Sequence, residues 1–289
     1  MFIKKMIVGG ALALLFSPIC GAAPARELVM GLIPAENNEE IITKFEPMRL
    51  YLEKKLGQKV KIYTATDYTG IVEAMKKKRL DIAFFGPLSY CLAQQEAGAE
   101  AFAVGVDKRG KTTYRSLIIV PGDSPAKTLM DLKGKSVAFV DPASTSGGLM
   151  PSYMVKKATG MMPDQFFGKF TYAGSHDAVE LAVKNRTVDA AADNDVTYPE
   201  MIAKGLITKQ SNRILLESPD LPGSPLAYRG DLPADLKKQI QTIFLNAHKE
   251  INVSGYGNLI RYDAVKDSDY QVIRNMIKDL GLRKEQMLK

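Results

Sequence analysis

Residues 136–148 read SVAFVDPASTSGG, and this stretch decides how the rest of the chain is interpreted. The apolar run at 136–140 predicts a buried strand, and the pattern over 145–159 predicts a helix. Three consecutive hydroxyl residues lie at the junction: Ser144, Thr145 and Ser146. The first turn of a helix has N–H groups without intrahelical partners, and the helix dipole is positive there. The stretch therefore predicts an anion site.

Two other loop types do not fit this junction. No lysine follows the glycines, as a nucleotide-binding P-loop requires, and the order of residues is not G-x-S-x-G. Simple N-capping accounts for one hydroxyl residue but not for three in succession. We keep the anion site as the main interpretation and capping as its alternative.

Outward from this junction, strand patterns alternate with helix patterns. Strands are predicted over 28–34, 60–63, 81–85, 101–106, 114–120, 170–173, 188–192, 214–217 and 226–229. Helices are predicted over 39–56, 68–78, 87–97, 177–184, 233–249 and 269–280. The alternation indicates an α/β fold with mostly parallel sheets covered by helices.

Two breaks rich in Pro and Gly divide the chain, PGDSP at 121–125 and SPDLPGSP at 218–225. They predict two lobes joined by two chain crossings. Lobe one would comprise residues 26–116 plus 226–289, and lobe two residues 117–225. A ligand would lie in the cleft between them, near strand ends and helix N-termini.

Residues 1–25 have the layout of a secretory signal peptide, with Lys4 and Lys5, an apolar run over 7–16, and small residues up to Ala25. The run is shorter than the ~20 residues that span a bilayer. We expect export to the periplasm with cleavage between Ala22 and Ala25.

The cysteines indicate neither a lipid anchor nor a disulfide. Cys20 follows Ile19, whereas a lipoprotein signal has a small residue at that place. Loss of Cys20 with the signal leaves Cys91 without an intramolecular partner. Its apolar surroundings predict a small core residue.

The basic excess does not indicate a nucleic-acid partner. The chain has 39 Lys and Arg against 32 Asp and Glu, a formal charge of +7, and loss of the two signal lysines leaves +5. The densest run, KKKR at 76–79, ends a predicted helix, where cations complement the dipole and no aromatic residues are interleaved. Two Cys and two His are too few for a typical four-ligand zinc site, so we expect no metal.

Other polar residues follow predicted strands. His176, at a helix start, is either an oxyanion donor or a structural cap. Asp193 and Asp195 either bind a ligand or serve turn chemistry, and the sequence leaves both interpretations open. Three tyrosines lie near helix or strand starts, where their hydroxyls could bind an oxyanion and their rings could pack on an organic group: Tyr68, Tyr90 and Tyr114.

Six segments together resemble a known family. They are ATDYTG (65–70), DIAFFGPLSY (81–90), YRSLIIV (114–120), DPASTSGG (141–148), GSHDAVELAV (174–183) and PGSPLAYR (222–229). In this order they are similar to the periplasmic substrate-binding proteins of phosphate, phosphite and phosphonate ABC transporters, the PhnD-type family. The resemblance implies a two-lobed type II binding-protein fold, with mixed sheets flanked by helices and a two-crossing hinge. It implies a monomeric binding protein without catalytic activity or cofactor, and an inner-membrane permease as partner.

The resemblance also implies roles for single residues. Tyr68 and Tyr114 would contact a phosphorus oxyanion from lobe one, with Tyr90 as a further cleft-facing residue. From lobe two the ligand contacts would be Ser144, Thr145, Ser146 and His176. Members that bind 2-aminoethylphosphonate carry a carboxylate where this chain has Ser224, and Asp193 or Asp195 would have to substitute for it. Phosphite or a small alkylphosphonate is therefore at least as well supported.

Two other functions stay open at this point. An exported hydrolase could use Ser144 as nucleophile and His176 as base, although no local motif favours a nucleophile. A ligand sensor for a membrane kinase would bind the same ligand but deliver it to no permease.

Overall fold

The structure is a computed structural model of the chain, and it describes residues 27–288. The predicted signal peptide lies outside the described residues. The strands are β1 (Leu28–Leu32), β2 (Val60–Thr64), β3 (Ile82–Phe84), β4 (Glu100–Asp107), β5 (Thr113–Tyr114), β6 (Ser116–Pro121), β7 (Ser136–Phe139), β8 (Lys169–Tyr172), β9 (Ala190–Asn194), β10 (Asn212–Glu217), β11 (Leu221–Pro222), β12 (Pro225–Tyr228) and β13 (Leu259–Asp263).

The helices complete the α/β pattern. They are α1 (Asn38–Leu56), α2 (Tyr68–Lys76), α3 (Pro87–Ala97), α4 (Met150–Thr159), α5 (Pro163–Phe166), α6 (His176–Lys184), α7 (Thr197–Ala203), α8 (Ala234–Asn246), α9 (Gln271–Leu280) and α10 (Lys284–Met287). Short 3₁₀ turns cover Leu129–Leu132, Ala247–Lys249 and Asp267–Tyr270, and a π-helical turn covers Thr145–Leu149.

Two larger sheets organise the described residues. The first sheet has the order β13-β4-β12-β3-β1-β2, and the second has the order β10-β6-β9-β7-β8. In the first sheet β1 is parallel to β2 and β3, whereas β12 and β13 are antiparallel to their neighbours. In the second sheet β7 is parallel to β8 and β9, and β6 is antiparallel to β9 and β10.

The expectation of mostly parallel sheets is wrong, and the mixed sheets that the family resemblance implies are confirmed. In the first sheet, β12 and β13 enter antiparallel after the chain returns from the second sheet. In the second sheet, the first strand to enter, β6, is antiparallel to β9 and β10. The predicted helix over 145–159 is in fact the π-helical turn followed by α4. The sequence pattern also missed α5, α7 and β13.

Strand β6 shows why the core lies on both faces of the second sheet. Leu117 and Ile119 belong to the larger apolar cluster, which extends through the first sheet. Ile118 and Val120 point to the other face and join a separate cluster with Phe139. Because side chains alternate along a strand, an unbroken apolar run such as LIIV is buried on both sides.

The chain passes between the two sheets twice, through β5 and through β11. These two strands pair antiparallel, with Tyr114 opposite Leu221 and Thr113 opposite Pro222. The two crossings therefore form one short ribbon beside the cleft. The lobe boundaries at residues 116/117 and 225/226 stay a prediction, because sheet membership does not fix where the chain bends.

Two further features follow the sequence analysis. Cys91 is buried in the core, as predicted, and burial raises the pKa of its thiol to about 12. Within residues 27–288, none of the helices has the length and apolar character needed to cross a membrane.

Replacing Gly122 with Ala tests the packing of the second sheet away from the cleft. A Cβ at this position would overlap the backbone carbonyl of Gln210, which cannot move as a side chain can. Such overpacking costs about 1–3 kcal/mol. We expect G122A to lower the melting temperature by several degrees in calorimetry, whereas Lys127→Ala, at an exposed side chain nearby, should not. An unchanged melting temperature would contradict the packing.

Candidate ligand-binding site

The loop between β7 and α4 is held tightly by its own backbone. The Ser144 Oγ accepts a hydrogen bond from the Gly147 N–H at 3.1 Å, so Ser144 caps the π-helical turn. A side chain at Gly147 would overlap Val140, and one at Gly148 would overlap the Asp141 carbonyl. The two glycines therefore let the helix start lie directly on the end of β7.

The three hydroxyl residues of this loop are buried, with exposed fractions of 1–2%. The Thr145 Oγ1 accepts a hydrogen bond from the Leu88 N–H at 2.7 Å, which joins the loop to the first turn of α3. The Ser116 Oγ donates to the Ser146 carbonyl at 2.6 Å. The loop is thus fixed both to its own sheet and to an element of the first sheet.

Two tyrosines approach the same loop. Tyr68 is the first residue of α2, and its hydroxyl contacts Ser144. The Tyr114 hydroxyl contacts Thr145 and Ser146. Burial raises the pKa of Tyr68 well above its ordinary value and that of Tyr114 to about 12. Both phenols are therefore neutral at physiological pH and keep a proton to donate.

These groups line a small cavity, which we call the anion cavity, with about 250 Å³ of empty space. Its polar side chains are Tyr68, Tyr114, Ser144, Thr145, Ser146, His176, Asn194, Ser224 and Tyr256. Among the described residues that line it, there is no Lys, Arg, Asp or Glu. Any charge placed here meets hydroxyl, amide and imidazole groups alone.

His176 opens α6 at the edge of the anion cavity. Its N–H donates to the Ala35 carbonyl at 3.0 Å, which connects α6 to the loop after β1. Its Nδ1 lies 2.7 Å from the Asp193 Oδ1. Burial lowers the pKa of His176 to about 4, so the ring is neutral. With the Nδ1 proton donated to Asp193, the Nε2 atom carries a lone pair.

Asp193 is itself supported by Glu180, four residues along α6 from His176. Burial is the largest cause that raises the pKa of Glu180, to about 11, and the neighbouring Asp193 adds to it. The two carboxyl groups hydrogen-bond to each other, and Asn212 donates to the Glu180 Oε2 at 2.5 Å. Protonated Glu180 therefore donates to Asp193, and Asp193 accepts from His176.

Asn194 is a site residue that the sequence analysis missed. Its Oδ1 accepts from the N–H groups of Val196 and Thr197, so its Nδ2 must point the other way. That atom donates to the Tyr256 hydroxyl at 2.9 Å and lies 3.0 Å from both ring nitrogens of His176. An atom equally close to both nitrogens lies over the ring face, which leaves the in-plane direction of Nε2 to a ligand.

The prediction that Tyr90 faces the cleft is wrong. The Tyr90 hydroxyl donates to the Asp267 Oδ1 at 2.7 Å, and its ring packs on Tyr270 at 4.8 Å. The reason is helical phase, because α3 presents Leu88 N–H to the loop and turns Tyr90 toward α9 and the C-terminal segment.

The two candidate carboxylates lie outside the anion cavity. Asp193 is fully buried behind His176. The Asp195 Oδ1 accepts from the Arg115 N–H at 2.7 Å, and its side chain lines a larger cavity next door. This bond joins Asp195 to a distant part of the chain, so it is not the local turn bonding that the alternative interpretation describes. Ser224, which the sequence analysis noted at the hinge, lines both cavities.

Helices α1 and α7 meet across the mouth of the cleft. Lys44 on α1 lies 2.7 Å from the Glu36 Oε1 and 2.5 Å from the Glu200 Oε2 on α7. Glu40 and Lys204 form a second ion pair between the same helices. With the Leu88–Thr145 and His176–Ala35 bonds, these contacts join elements of the two sheets around the anion cavity.

The profile of one family matches residues 30–270, and its description is "ABC transporter, phosphonate, periplasmic substrate-binding protein". The chain belongs to this family. Its fold is accordingly the type II periplasmic binding-protein fold. Members are the substrate-binding components of importers and are not enzymes, and a small phosphonate-type ligand and a permease are the partners that membership implies.

Individual relatives agree with this assignment. The chain is 33% identical over 243 residues to the phosphonates-binding periplasmic protein of Escherichia coli. The aligned region covers 83% of this chain and 71% of the relative. It is 30% identical to a phosphate-import protein of Mycolicibacterium smegmatis, over 89% and 87% of the two chains. A crystal structure of a phosphonate-transporter binding protein from Pseudomonas aeruginosa superposes with a TM-score of 0.80 at 25% identity, over 90% and 91%.

The hydrolase alternative gains no support from this geometry. The Ser144 Oγ is used to cap the Gly147 N–H, and among the described residues no hydrogen bond joins it to His176. Within residues 27–288 there is also no cluster of His, Cys, Asp and Glu arranged to hold a metal ion.

Replacing Glu180 with Gln tests the proton on that side chain. Folded Glu180 holds its proton, with a pKa raised to about 11, whereas the unfolded chain loses it above its ordinary value of 4.5. Unfolding then releases a proton, so the wild type loses stability as pH rises. Glutamine keeps a donor for Asp193 without this linkage. We expect the melting temperature of E180Q, relative to wild type, to rise by several degrees between pH 5 and pH 8.

A matched control is Glu285→Gln, at an exposed position of α10, which should show no such divergence. Parallel curves for E180Q and wild type across the pH range would mean that Glu180 is ionised in the folded protein.

Proposed function

We propose that this protein captures a phosphonate or phosphite-type phosphorus oxyanion in the anion cavity and delivers it to the permease of an ABC importer. The observation that carries the proposal is the convergence of neutral polar groups on one small cavity. Three hydroxyl residues at a helix start, three tyrosines and one imidazole line this cavity. Tetrahedral oxyanions suit such a set, because each oxygen can accept from a separate donor.

Neutral donors bind an anion without a counter-ion when the donors are fixed in advance. The helix dipole and the buried hydroxyls supply partial positive charge, and burial strengthens each charge-assisted hydrogen bond. His176 adds a different property, since its Nε2 accepts rather than donates. A ligand oxygen that keeps its proton can donate to this atom, so the cavity favours the singly protonated form of the oxyanion.

The fourth substituent on phosphorus decides between related ligands. An ammonium group, as in 2-aminoethylphosphonate, would need a carboxylate, and the residues that line the anion cavity include none. Ser224 at the hinge offers only a hydroxyl. This supports phosphite or a phosphonate with an uncharged or anionic substituent over the amine-specific alternative.

Transport requires that ligand binding changes what the permease contacts. The Leu88–Thr145 and His176–Ala35 hydrogen bonds cross the cleft beside the anion cavity, so a bound anion would reinforce contacts between the two lobes. Closure about the β5–β11 ribbon would form the contacts between α1 and α7 that this structure has at the mouth. We propose that the permease binds this closed surface. No observation favours the alternative of a ligand sensor for a membrane kinase.

The N-terminal sequence and the charge indicate where the protein works and which partners it has. The layout of residues 1–25 supports cleavage of a signal peptide and work in the periplasm without a lipid anchor. The dispersed charge supports a protein that binds no nucleic acid, and we propose that it works as a monomer.

Calorimetric titration with phosphite, methylphosphonate, phosphate and 2-aminoethylphosphonate tests this function. We expect saturable heat for phosphite or methylphosphonate and weaker binding of the amine. Hydrogen bonds to a charged group contribute about 1.5–3 kcal/mol. Ser144→Ala and Thr145→Val should therefore each weaken binding by about tenfold to a hundredfold.

Thr242→Ala, which removes an exposed hydroxyl on α8, is the control and should bind as wild type. Each variant is compared by its melting temperature to confirm folding. Absence of heat with all four ligands would overturn the proposal, and unchanged affinity in both site variants would remove the loop from the site.

A further inference from the structure

We propose that the larger cavity beside the anion cavity holds the carbon-bound substituent of an organophosphonate, and that it prefers a substituent with an apolar stem and an anionic end. This inference rests on the proposed function and specifies its substrate class. We call the larger space the substituent cavity. It has about 1020 Å³ of empty space, against about 250 Å³ for the anion cavity.

The two cavities are adjacent. Both are lined by Phe84, Tyr114, Ser224 and Tyr256, and in this proposal a passage runs between these side chains. The passage gives the fourth bond of phosphorus one open direction, and phosphite or phosphate would leave the substituent cavity unused.

The wall nearest the passage is apolar. Phe84 ends β3, and its ring centroid lies 5.0 Å from that of Phe45 and 5.7 Å from that of Tyr256. Val104 and Leu259 continue the surface outward. Methylene or aromatic carbons attached to phosphorus would replace water on these rings, which is favourable in proportion to the apolar area covered.

The rim is basic. The loop between β4 and β5 places Lys108, Arg109 and Lys111 around the outer end of the substituent cavity. Lys108 is exposed and forms no ion pair with any residue between 27 and 288. An anionic group at the end of a substituent would be attracted here, whereas an ammonium group would be repelled.

Two acidic residues at the rim contact neighbouring basic residues. The Asp107 side chain accepts from the N–H groups of Arg109 and Lys111 and pairs with the Arg109 guanidinium at 2.6 Å. Asp195 accepts from the Arg115 N–H and lies 3.9 Å from the Arg109 Nη2. The Asp107 carboxylate is therefore fully used, whereas within the described part of the chain the Asp195 Oδ2 atom has only this long contact with Arg109. Because three cations face two carboxylates at the rim, the ligand that fits best carries a carboxylate or a second phosphoryl group.

Calorimetry with ligands of matched length tests this inference. The probes are methylphosphonate, propylphosphonate, 3-phosphonopropionate and 3-aminopropylphosphonate. We expect 3-phosphonopropionate to bind about three- to tenfold more tightly than propylphosphonate at low salt, and the amine to bind more weakly than both. The advantage should shrink at high salt, because an exposed rim is screened.

Two variants separate the cavities. Lys108→Met should reduce the ratio of 3-phosphonopropionate to methylphosphonate affinity by about threefold or more, whereas Lys133→Met, at an exposed site on the second lobe, should leave that ratio unchanged. Asn258→Trp adds bulk at the exposed rim and should disfavour every extended ligand relative to methylphosphonate.

The outcomes distinguish this inference from the function beneath it. Tight methylphosphonate or phosphite binding with no gain for the anionic substituent would overturn the substituent preference and leave the oxyanion function standing. An equal loss for all ligands in Lys108→Met would also overturn it. Failure of every phosphorus ligand would remove the oxyanion function and this inference together.

Discussion

Everything at the site depends on how closely the loop after β7 lies on its own strand. Side chains at Gly147 and Gly148 would overlap Val140 and the Asp141 carbonyl, so glycine is required at both positions. That close approach starts the helix at the strand end and directs the hydroxyls of Ser144 and Thr145 into the cleft. Were the helix to begin one turn later, neither its N–H groups nor these hydroxyls would meet the elements of the first sheet.

The electrostatic design places charge behind the cavity rather than in it. Three buried side chains form a hydrogen-bonded series. Glu180 donates to Asp193, and Asp193 also accepts from His176. This series fixes the tautomer of His176 while the ring itself stays uncharged. A neutral cavity avoids the cost of burying a lysine or arginine and lets ligand chemistry, rather than net charge, decide affinity.

The parts of this site that could be predicted from the sequence are those whose signal lies within a few neighbouring residues. The hydroxyl run at Ser144 to Ser146 and the histidine at a helix start are each read within a few residues, because strand ends and helix starts are local features. The prediction for Tyr90 was wrong because residues within one helical turn point in different directions. The start of α3 faces the cleft, but Tyr90 points away from it. Asn194 and Tyr256 were missed because they meet only after the chain has crossed between the sheets twice.

The same distinction holds for the fold. The alternation of strand and helix patterns predicted an α/β protein. The break at 218–225 contains the second crossing, whereas the break at 121–125 follows β6 within the second sheet and the first crossing passes through β5. Pairing direction was not readable, since β12 and β13 reach their neighbours from the far end of the chain. The role of Asp193 likewise depends on how α6 packs on β9, because this packing places Glu180 next to Asp193. The spacing of residues within β9 alone does not reveal it.

The pairing of β5 with β11 has a mechanical consequence. Tyr114 belongs to this ribbon and Ser224 follows it within two residues, so a ligand in the anion cavity would touch the segment about which the lobes would turn. A ligand group that displaces either side chain acts close to the hinge. A small displacement there would change the angle between the lobes and move the helices at the mouth by a larger distance. Tightness of binding and completeness of closure are then separate properties. A ligand can be held firmly and still present the permease with the wrong shape.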